Sequence, residues 1–276
     1  MALPVKQHIV KKTLIIISVL FASILACAQT YELGGWGGVS YYLGDLNTNF
    51  DMRHPGPAGG LFGRYNFNDR LAVKLGANYT RLGYKDEYSK YTWQKARNLS
   101  FETDVVDANI QFEFHFLRYI HGSRDHFFTP YLFGGAGAYF FDPRAELNGE
   151  WYHLQQMGTE GQGKNEEYSL VQPALNYGIG FKFDLNFFWS LNLEISGRRL
   201  FTDYFDDVSH KYVDAKGLAS DRGAIAPLLA DRSYEVVEAP IGMAGRQRGD
   251  SQSRDMFGFI GIGIAYNFAN VKCPGF

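Results

Sequence analysis

The sequence predicts an all-β fold: an eight-stranded antiparallel transmembrane β-barrel with long extracellular loops. Three observations carry that prediction. The chain opens on a leader of secretory type, its body alternates apolar and polar residues with period 2, and its connections are short and long by turns.

The leader comes first. Lys6, Lys11 and Lys12 precede an apolar run over residues 14–26, and Ala26-Cys27-Ala28 supplies small residues at the positions a signal peptidase reads. Residues 1–28 are read as a signal peptide with Gln29 as the first mature residue. The run is shorter than the roughly 20 apolar residues a helix needs to span a bilayer. A second cleavage stays open: Ile24-Leu25-Ala26-Cys27 resembles a lipoprotein box, which would leave a lipidated Cys27 in first place. Beyond the leader no long apolar segment follows, so the remainder, residues 29–268, is read as barrel and residues 269–276 as a periplasmic tail.

Composition agrees with strands that have two unlike faces. The chain is 46% hydrophobic and 16% aromatic with 31 glycines, yet its mean hydropathy is only -0.23. The formal net charge of -2 becomes -5 once the three leader lysines are gone, and no basic stripe points to nucleic acid. Signal cleavage removes Cys27 and leaves Cys273 alone, which excludes an intramolecular disulfide or a cysteine-based zinc site.

Alternation then sets the strands. Leu33, Val39, Tyr41 and Leu43 share one parity against Glu32, Ser40 and Tyr42; Leu61, Tyr65 and Phe67 oppose Arg64 and Asn66; Leu71, Val73, Leu75 and Tyr79 oppose Lys74, Asn78 and Thr80. The clearest segment sets Val106, Ala108, Ile110, Phe112, Phe114 and Phe116 against Asp107, Asn109, Gln111, Glu113 and His115. A fifth, near residues 128–141, is apolar and glycine-rich on both parities and has no assignable faces. The sixth sets Leu175, Tyr177, Ile179, Phe181 and Phe183 against Asn176, Lys182 and Asp184, and the seventh sets Trp189, Leu191, Leu193 and Ile195 against Ser190, Asn192, Glu194 and Ser196. The last sets Ile260, Ile262, Ile264, Tyr266 and Phe268 against Gly261, Gly263 and Asn267. About eight strands make the smallest closed outer-membrane barrel.

A soluble sandwich alternates too, so two further features decide. Aromatic residues end the greasy face (Tyr65, Phe67, Phe181, Phe183, Trp189, Tyr266, Phe268), as interfacial girdles do. Connections at residues 68–70, 117–126 and 185–188 are short, whereas those at 45–56, 85–98, 142–168 and 204–254 are long. Short turns in the periplasm and long loops outside are the outer-membrane arrangement, and an even strand count puts both mature termini in the periplasm.

The inward face carries Glu32, Arg64, Lys74, Asp107, Glu113, Lys182, Glu194 and Arg198. An eight-stranded barrel is just wide enough for side chains to fill it, and buried charges must pair. A plug of ion pairs and hydrogen bonds is therefore expected, and not a channel.

Motifs for chemistry are sparse. Residues 158–163 are glycine-rich without the spacing or context of a nucleotide loop, and are read as a flexible turn. Asp203, Asp206 and Asp207 offer hard oxygens but lack EF-hand spacing; they are read as a loop anchor pairing with Arg198, Arg199 or Arg232. His115 has no evident serine nucleophile, while His153 and His210 sit in outer loops with Ser169 and Ser209. No enzyme activity, cofactor, nucleotide or metal is expected, with a lipid-modifying enzyme the remote alternative.

A resemblance extends this reading. Residues 29–38 (Gln-Thr-Tyr-Glu-Leu-Gly-Gly-Trp-Gly-Gly), Tyr41-Tyr42-Leu43-Gly44-Asp45-Leu46-Asn47, Phe128-Thr129-Pro130-Tyr131-Leu132-Phe133-Gly134-Gly135, residues 158–163, the stretch Phe201-Thr202-Asp203-Tyr204-Phe205-Asp206-Asp207-Val208-Ser209, Leu229-Ala230-Asp231-Arg232-Ser233 and Lys272-Cys273-Pro274 follow one another along the chain. Together they resemble the PorG-like outer-membrane barrels of the Bacteroidota type IX secretion system. The resemblance implies a non-catalytic accessory barrel associated with a periplasmic ring of PorK and PorN type, needed for cargo export; it supplies no active site. The surface expected to meet such a ring is the 118–126 turn with Arg118 and Arg124, and the tail with Lys272 and Cys273. An adhesion barrel acting through the roughly 50-residue connection 204–254 is the alternative.

Overall fold

The structure, a computed structural model, describes residues 31–268. The leader, Cys27, and the tail with Lys272 and Cys273 lie outside the described residues. Period-2 alternation runs along eight long strands: β1 (Tyr31–Leu43), β2 (Gly56–Asn66), β3 (Leu71–Lys85), β4 (Ser100–His115), β5 (Phe128–Phe140), β8 (Val171–Asp184), β9 (Trp189–Leu200) and β10 (Met256–Asn267). Each strand pairs antiparallel with its neighbours in the order β3-β2-β1-β10-β9-β8-β5-β4, and β3 pairs with β4 to close the ring. Closure leaves the barrel without an open edge. Strands of 11 to 16 residues match or exceed the roughly 9–11 that cross a bilayer at a tilt.

The outward parity forms an unbroken apolar belt. Leu33, Leu61, Leu75, Ile110, Phe112, Leu132, Leu175, Ile179, Ile195, Ile262 and Ile264 are all exposed. An apolar surface of that extent on a closed barrel is what a bilayer covers. No helix among the described residues is long and apolar enough to cross a membrane, so crossing falls to the strands. The aromatic residues expected at both rims gather at one. Tyr65, Phe67, Phe181, Phe183, Trp189, Tyr266 and Phe268 all lie at the short-turn end, because they end β2, β8 and β10 or start β9. The other rim is thinner, with Tyr79, Phe140 and Phe201 exposed.

The turns explain their own brevity. Asn68 accepts the N–H groups of Arg70 (2.8 Å) and Leu71 (2.9 Å), and Asn186 does the same for Phe188 (2.9 Å) and Trp189 (3.0 Å). An asparagine side chain that mimics a backbone turn reverses each hairpin in the fewest residues.

β5 resolves the segment whose faces the sequence left open. Thr129, Tyr131, Phe133 and Tyr139 point inward and are buried, while Leu132 and Phe140 point outward. Both faces read as apolar because this inward row fills the lumen with rings. Room for them comes from glycines directly across the ladder: Tyr131 faces Gly180 and Phe133 faces Gly178 on β8, and a Cβ at either glycine would overlap the ring. Phe62 lies over Gly34 of β1 in the same way.

The long connections are not bare loops. The segment after β5 carries a hairpin, β6 (Arg144–Leu147) and β7 (Glu150–His153), joined to the top of β4 through Glu102 and Arg144. The segment 201–255 carries helices Ala215–Arg222 and Ile225–Ala230, with Leu218, Ala226 and Ala230 buried between them. These elements close the long-loop end as a cap.

Candidate functional site

The barrel interior and the cap hold the chain's buried charge, and they form three levels. The first lies toward the short-turn end. Arg64, with no exposed side-chain surface, donates from Nη1 to Glu32 Oε2 (2.6 Å) and to Asn192 Oδ1 (3.0 Å), and its Nε meets Glu113 Oε2 at 2.8 Å. Lys74 bridges Glu194 (2.5 Å) and Glu113 (3.5 Å), Lys182 pairs with Glu32, and the Tyr131 hydroxyl donates to Glu194 (2.6 Å). Three cations thus face three carboxylates. Alternation of β1, β2, β3, β4, β8 and β9 delivers these residues to one ring.

Asp107 and Arg198 belong to a second level, separate from the first. Arg198 Nε is 3.3 Å from Asp107 Oδ2, Asn109 donates to Asp107 Oδ1 (2.6 Å), and Trp36 Nε1 donates to Asn78 Oδ1 (2.8 Å). Between the two levels is a cavity of about 30 Å³ lined by Lys74, Glu194, Asn109, Arg198 and Trp36, room for about one or two waters.

The third level is apolar and adds an aromatic layer to the ion pairs and hydrogen bonds below it. Tyr42, Phe101, Tyr139, Phe141 and Phe257 point inward near the long-loop end, and Phe205 of the 201–255 segment inserts among them. Phe205 stacks on Phe257 at 5.4 Å between centroids and packs on Phe141 at 5.4 Å, while Tyr42 meets Phe101 edge-on at 4.8 Å. The sequence signal was present: inward Tyr42, Leu82, Tyr84 and Phe101 are apolar where the lower inward positions are charged.

The aspartates beside Phe205 fasten the cap, with partners other than those expected. Arg198 is held by Asp107, and Arg232 turns to Glu235 (3.0 Å) and Ser100 (3.0 Å). Arg248 meets Asp207 instead, at 3.6 Å, and Glu160 at 3.0 Å. Spacing could not find Arg248, because it approaches from the far end of the segment. Asp207 also accepts from Thr159 (2.5 Å) and Tyr168 (2.9 Å), Asp206 accepts from the Tyr42 hydroxyl, and Asp203 accepts from Ser209 (2.7 Å). The three carboxylates therefore point to three different places, and among the described residues no group of His, Cys, Asp and Glu is placed to hold a metal ion. The glycine-rich stretch expected to be a flexible turn is an anchor: Thr159 is buried, and Glu160 accepts the N–H groups of Ser209 and His210, both at 2.9 Å.

Other long connections join this knot. Arg97 binds the Asp86 carboxylate (2.7 Å) and the carbonyls of Arg248 (2.7 Å) and Asp45 (3.0 Å), and the Asp45 carboxylate accepts the N–H of Asp250 (3.0 Å). Burial is the main force on these acids. It pushes Asp45 up to about 6, Asp207 up to about 6 and Asp203 up to about 7, with nearby carboxylates adding to it. It raises Asp206 and Asp255 well above the ordinary carboxylate range, again reinforced by neighbouring carboxylates.

The remaining candidate residues lie apart. Arg118 pairs with Asp69 (2.6 Å) at the short-turn end, and Arg124 is exposed there. His115 contacts Glu113 at 3.5 Å inside the barrel, His153 pairs with Asp142 (2.7 Å), and His210 contacts Tyr204 (3.1 Å). Among the described residues none of these histidines hydrogen-bonds a serine hydroxyl.

Comparison with known proteins adds the following. A family model described as a domain of unknown function (DUF6089) matches residues 11–219. No curated protein matches the chain. Among solved structures, Ail, the attachment invasion locus protein of Yersinia pestis, aligns at TM-score 0.41 and 12% identity over 86% of this chain and 98% of its own. Neisserial surface protein A aligns at 0.41 and 12% over 86% and 96%, and OprG from Pseudomonas aeruginosa at 0.41 and 12% over 87% and 97%. At such identities the likeness is one of fold alone.

Proposed function

This chain belongs to the DUF6089 family, and we propose that within it the protein is a non-catalytic outer-membrane barrel that anchors or positions a periplasmic ring of the type IX secretion machinery. One observation supports an anchoring role over a conducting one: the lumen is filled by a charged level and an aromatic level with a cavity of about 30 Å³ beneath the second. A lumen packed in this way argues against a conduit, so this reading assigns the work to the two ends. The secretion assignment itself rests on the motifs from Gln29 to Pro274.

In this reading the long-loop end faces outside and the short-turn end, with Arg118 and Arg124, faces the periplasm. The test is genetic and then physical. Deleting the gene should leave cargo proteins inside the cell, and the tagged barrel, extracted gently, should bring down a ring of PorK and PorN type. Normal export in the deletion strain overturns the secretion role.

A second reading, a surface-binding barrel, draws support from the cap, whose helices have a small core of their own. Removing residues 210–247 while cargo export stays normal but attachment to a surface or ligand is lost would favour it.

A further inference from the structure

Asp206 and Asp255 converge on one hydroxyl. Tyr42 donates its only O–H proton to Asp206 Oδ2, and Asp255 Oδ1 lies 3.4 Å from the same oxygen. The other oxygen of each acid accepts a backbone N–H on the stretch that carries Phe205: Asp255 Oδ2 from Phe205 and Asp206 Oδ1 from Val208, both at 3.0 Å. Both acids are buried, and neither forms an ion pair among the described residues.

Their wider surroundings are acidic. Asp45 approaches from the segment after β1, and Asp203 from the strand-end stretch before Phe205. Asp250 and Glu160 bear in turn on Asp45 and Asp203. Two cations are near. Arg97 is committed to Asp86 (2.7 Å), and Arg248 to Glu160 (3.0 Å) and Asp207 (3.6 Å). One phenol proton cannot serve two carboxylates. If both acids were ionised, the second would face an oxygen lone pair and another buried charge, which is the arrangement that makes two acids retain a proton between them.

We propose that the cap is a proton-held latch: a proton kept by the Asp206–Asp255 pair at the Tyr42 hydroxyl seats the 205–208 stretch on the barrel, and its loss as pH rises releases Phe205 from the lumen. The sign follows from linkage. A carboxylate whose folded value is raised adds stability that is complete below its unfolded value, about 3.9, and is lost as pH rises through the folded value. Burial and neighbouring carboxylates raise both acids well above their ordinary range, so the contribution weakens as pH rises beyond that range.

Hydrogen exchange on the full mature protein in lipid vesicles tests the latch, with rates divided by the intrinsic chemical rate at each pH. Protection over residues 203–209 should fall at least about tenfold between pH 6 and pH 9, while residues 106–114 of β4 keep theirs. Asp203 titrates at about 7 and acts on the same stretch, so the comparison is made in an Asp203→Asn background: that variant should keep the tenfold fall, and adding Asp255→Asn should cut it to under about threefold. Asp207→Asn, which touches the Arg248 side of the knot, should keep the full pH dependence. Resistance of the folded barrel to SDS before heating identifies variants that have folded. Flat protection in the Asp203→Asn protein, or a tenfold fall that survives the added Asp255→Asn, overturns the proposal; the Asp203→Asn profile decides even if the double variant does not fold.

Discussion

Replacing Arg64 by methionine is the sharpest probe of the charged level. Methionine keeps an unbranched apolar stem and removes the charge, so two ammonium groups, Lys74 and Lys182, would face three carboxylates, Glu32, Glu113 and Glu194. Arg64 and Glu113 have no exposed side-chain surface, and that of Glu32 is 1% exposed. Deleting one partner of such a buried pair costs about 3–5 kcal/mol, most of it from the charge left behind. With a urea slope of about 2–3 kcal/mol per molar, the unfolding midpoint in lipid vesicles, read by tryptophan fluorescence, should drop by about 1–2.5 M. The double variant Arg64→Met with Glu113→Gln restores the charge balance and should recover about 1–3 kcal/mol as coupling. A midpoint loss under about 0.4 M for Arg64→Met, equivalent to about 1 kcal/mol, would mean that water already solvates the Arg64 level and that its charges are not held by burial.

Three other outcomes are expected. Phe205→Ala removes the ring that joins cap to barrel and should lower stability by about 3–5 kcal/mol, seen as a lower urea midpoint and faster proteolysis within residues 201–255. Gly135→Ala should prevent closure between β4 and β5, because a Cβ there overlaps the carbonyl of Ile110; the SDS-resistant folded band disappears, whereas Gly63→Ala, which meets open space on the outer face, keeps it. In planar bilayers the purified wild type should pass no steady ion current, and Phe205→Ala alone should stay silent because the Arg64 level still blocks the lumen; a stable conductance from the wild type would refute the filled interior.

Much of the barrel was legible because a strand has a period of two and a bilayer makes its faces differ. Asp107 to Phe116 on β4 could be assigned inward and outward residue by residue, and the register places them so. What stayed hidden depends on contacts across the chain. The faces of β5 were unreadable since its inward row is aromatic, and only the ladder puts Tyr131 over Gly180. The hairpin β6–β7 and the helices Ala215–Arg222 and Ile225–Ala230 sit in stretches too short for a periodic signal to rise above loop composition. The sequence offers Asp203, Asp206 and Asp207 as an anchor, but the guanidinium that meets Asp207 lies 41 residues away, and no spacing rule selects it.

The aromatic upper level changes what the luminal charges imply. A wholly ionic interior could open by exchanging partners, since each carboxylate of the Arg64 ring already has a second cation in reach. Phe205 cannot exchange in that way. It comes from the cap, and it leaves the lumen only if the stretch bonded to Asp206 and Asp255 leaves with it. The cap and the lumen are therefore one cooperative unit above the charged ring, while the ring depends only on barrel strands. A perturbation on the long-loop side should loosen the upper level and leave the lower intact, and the short-turn end, framed by β2, β4, β8 and β10, should keep its shape. That separation suits a protein moored at one end and exposed at the other.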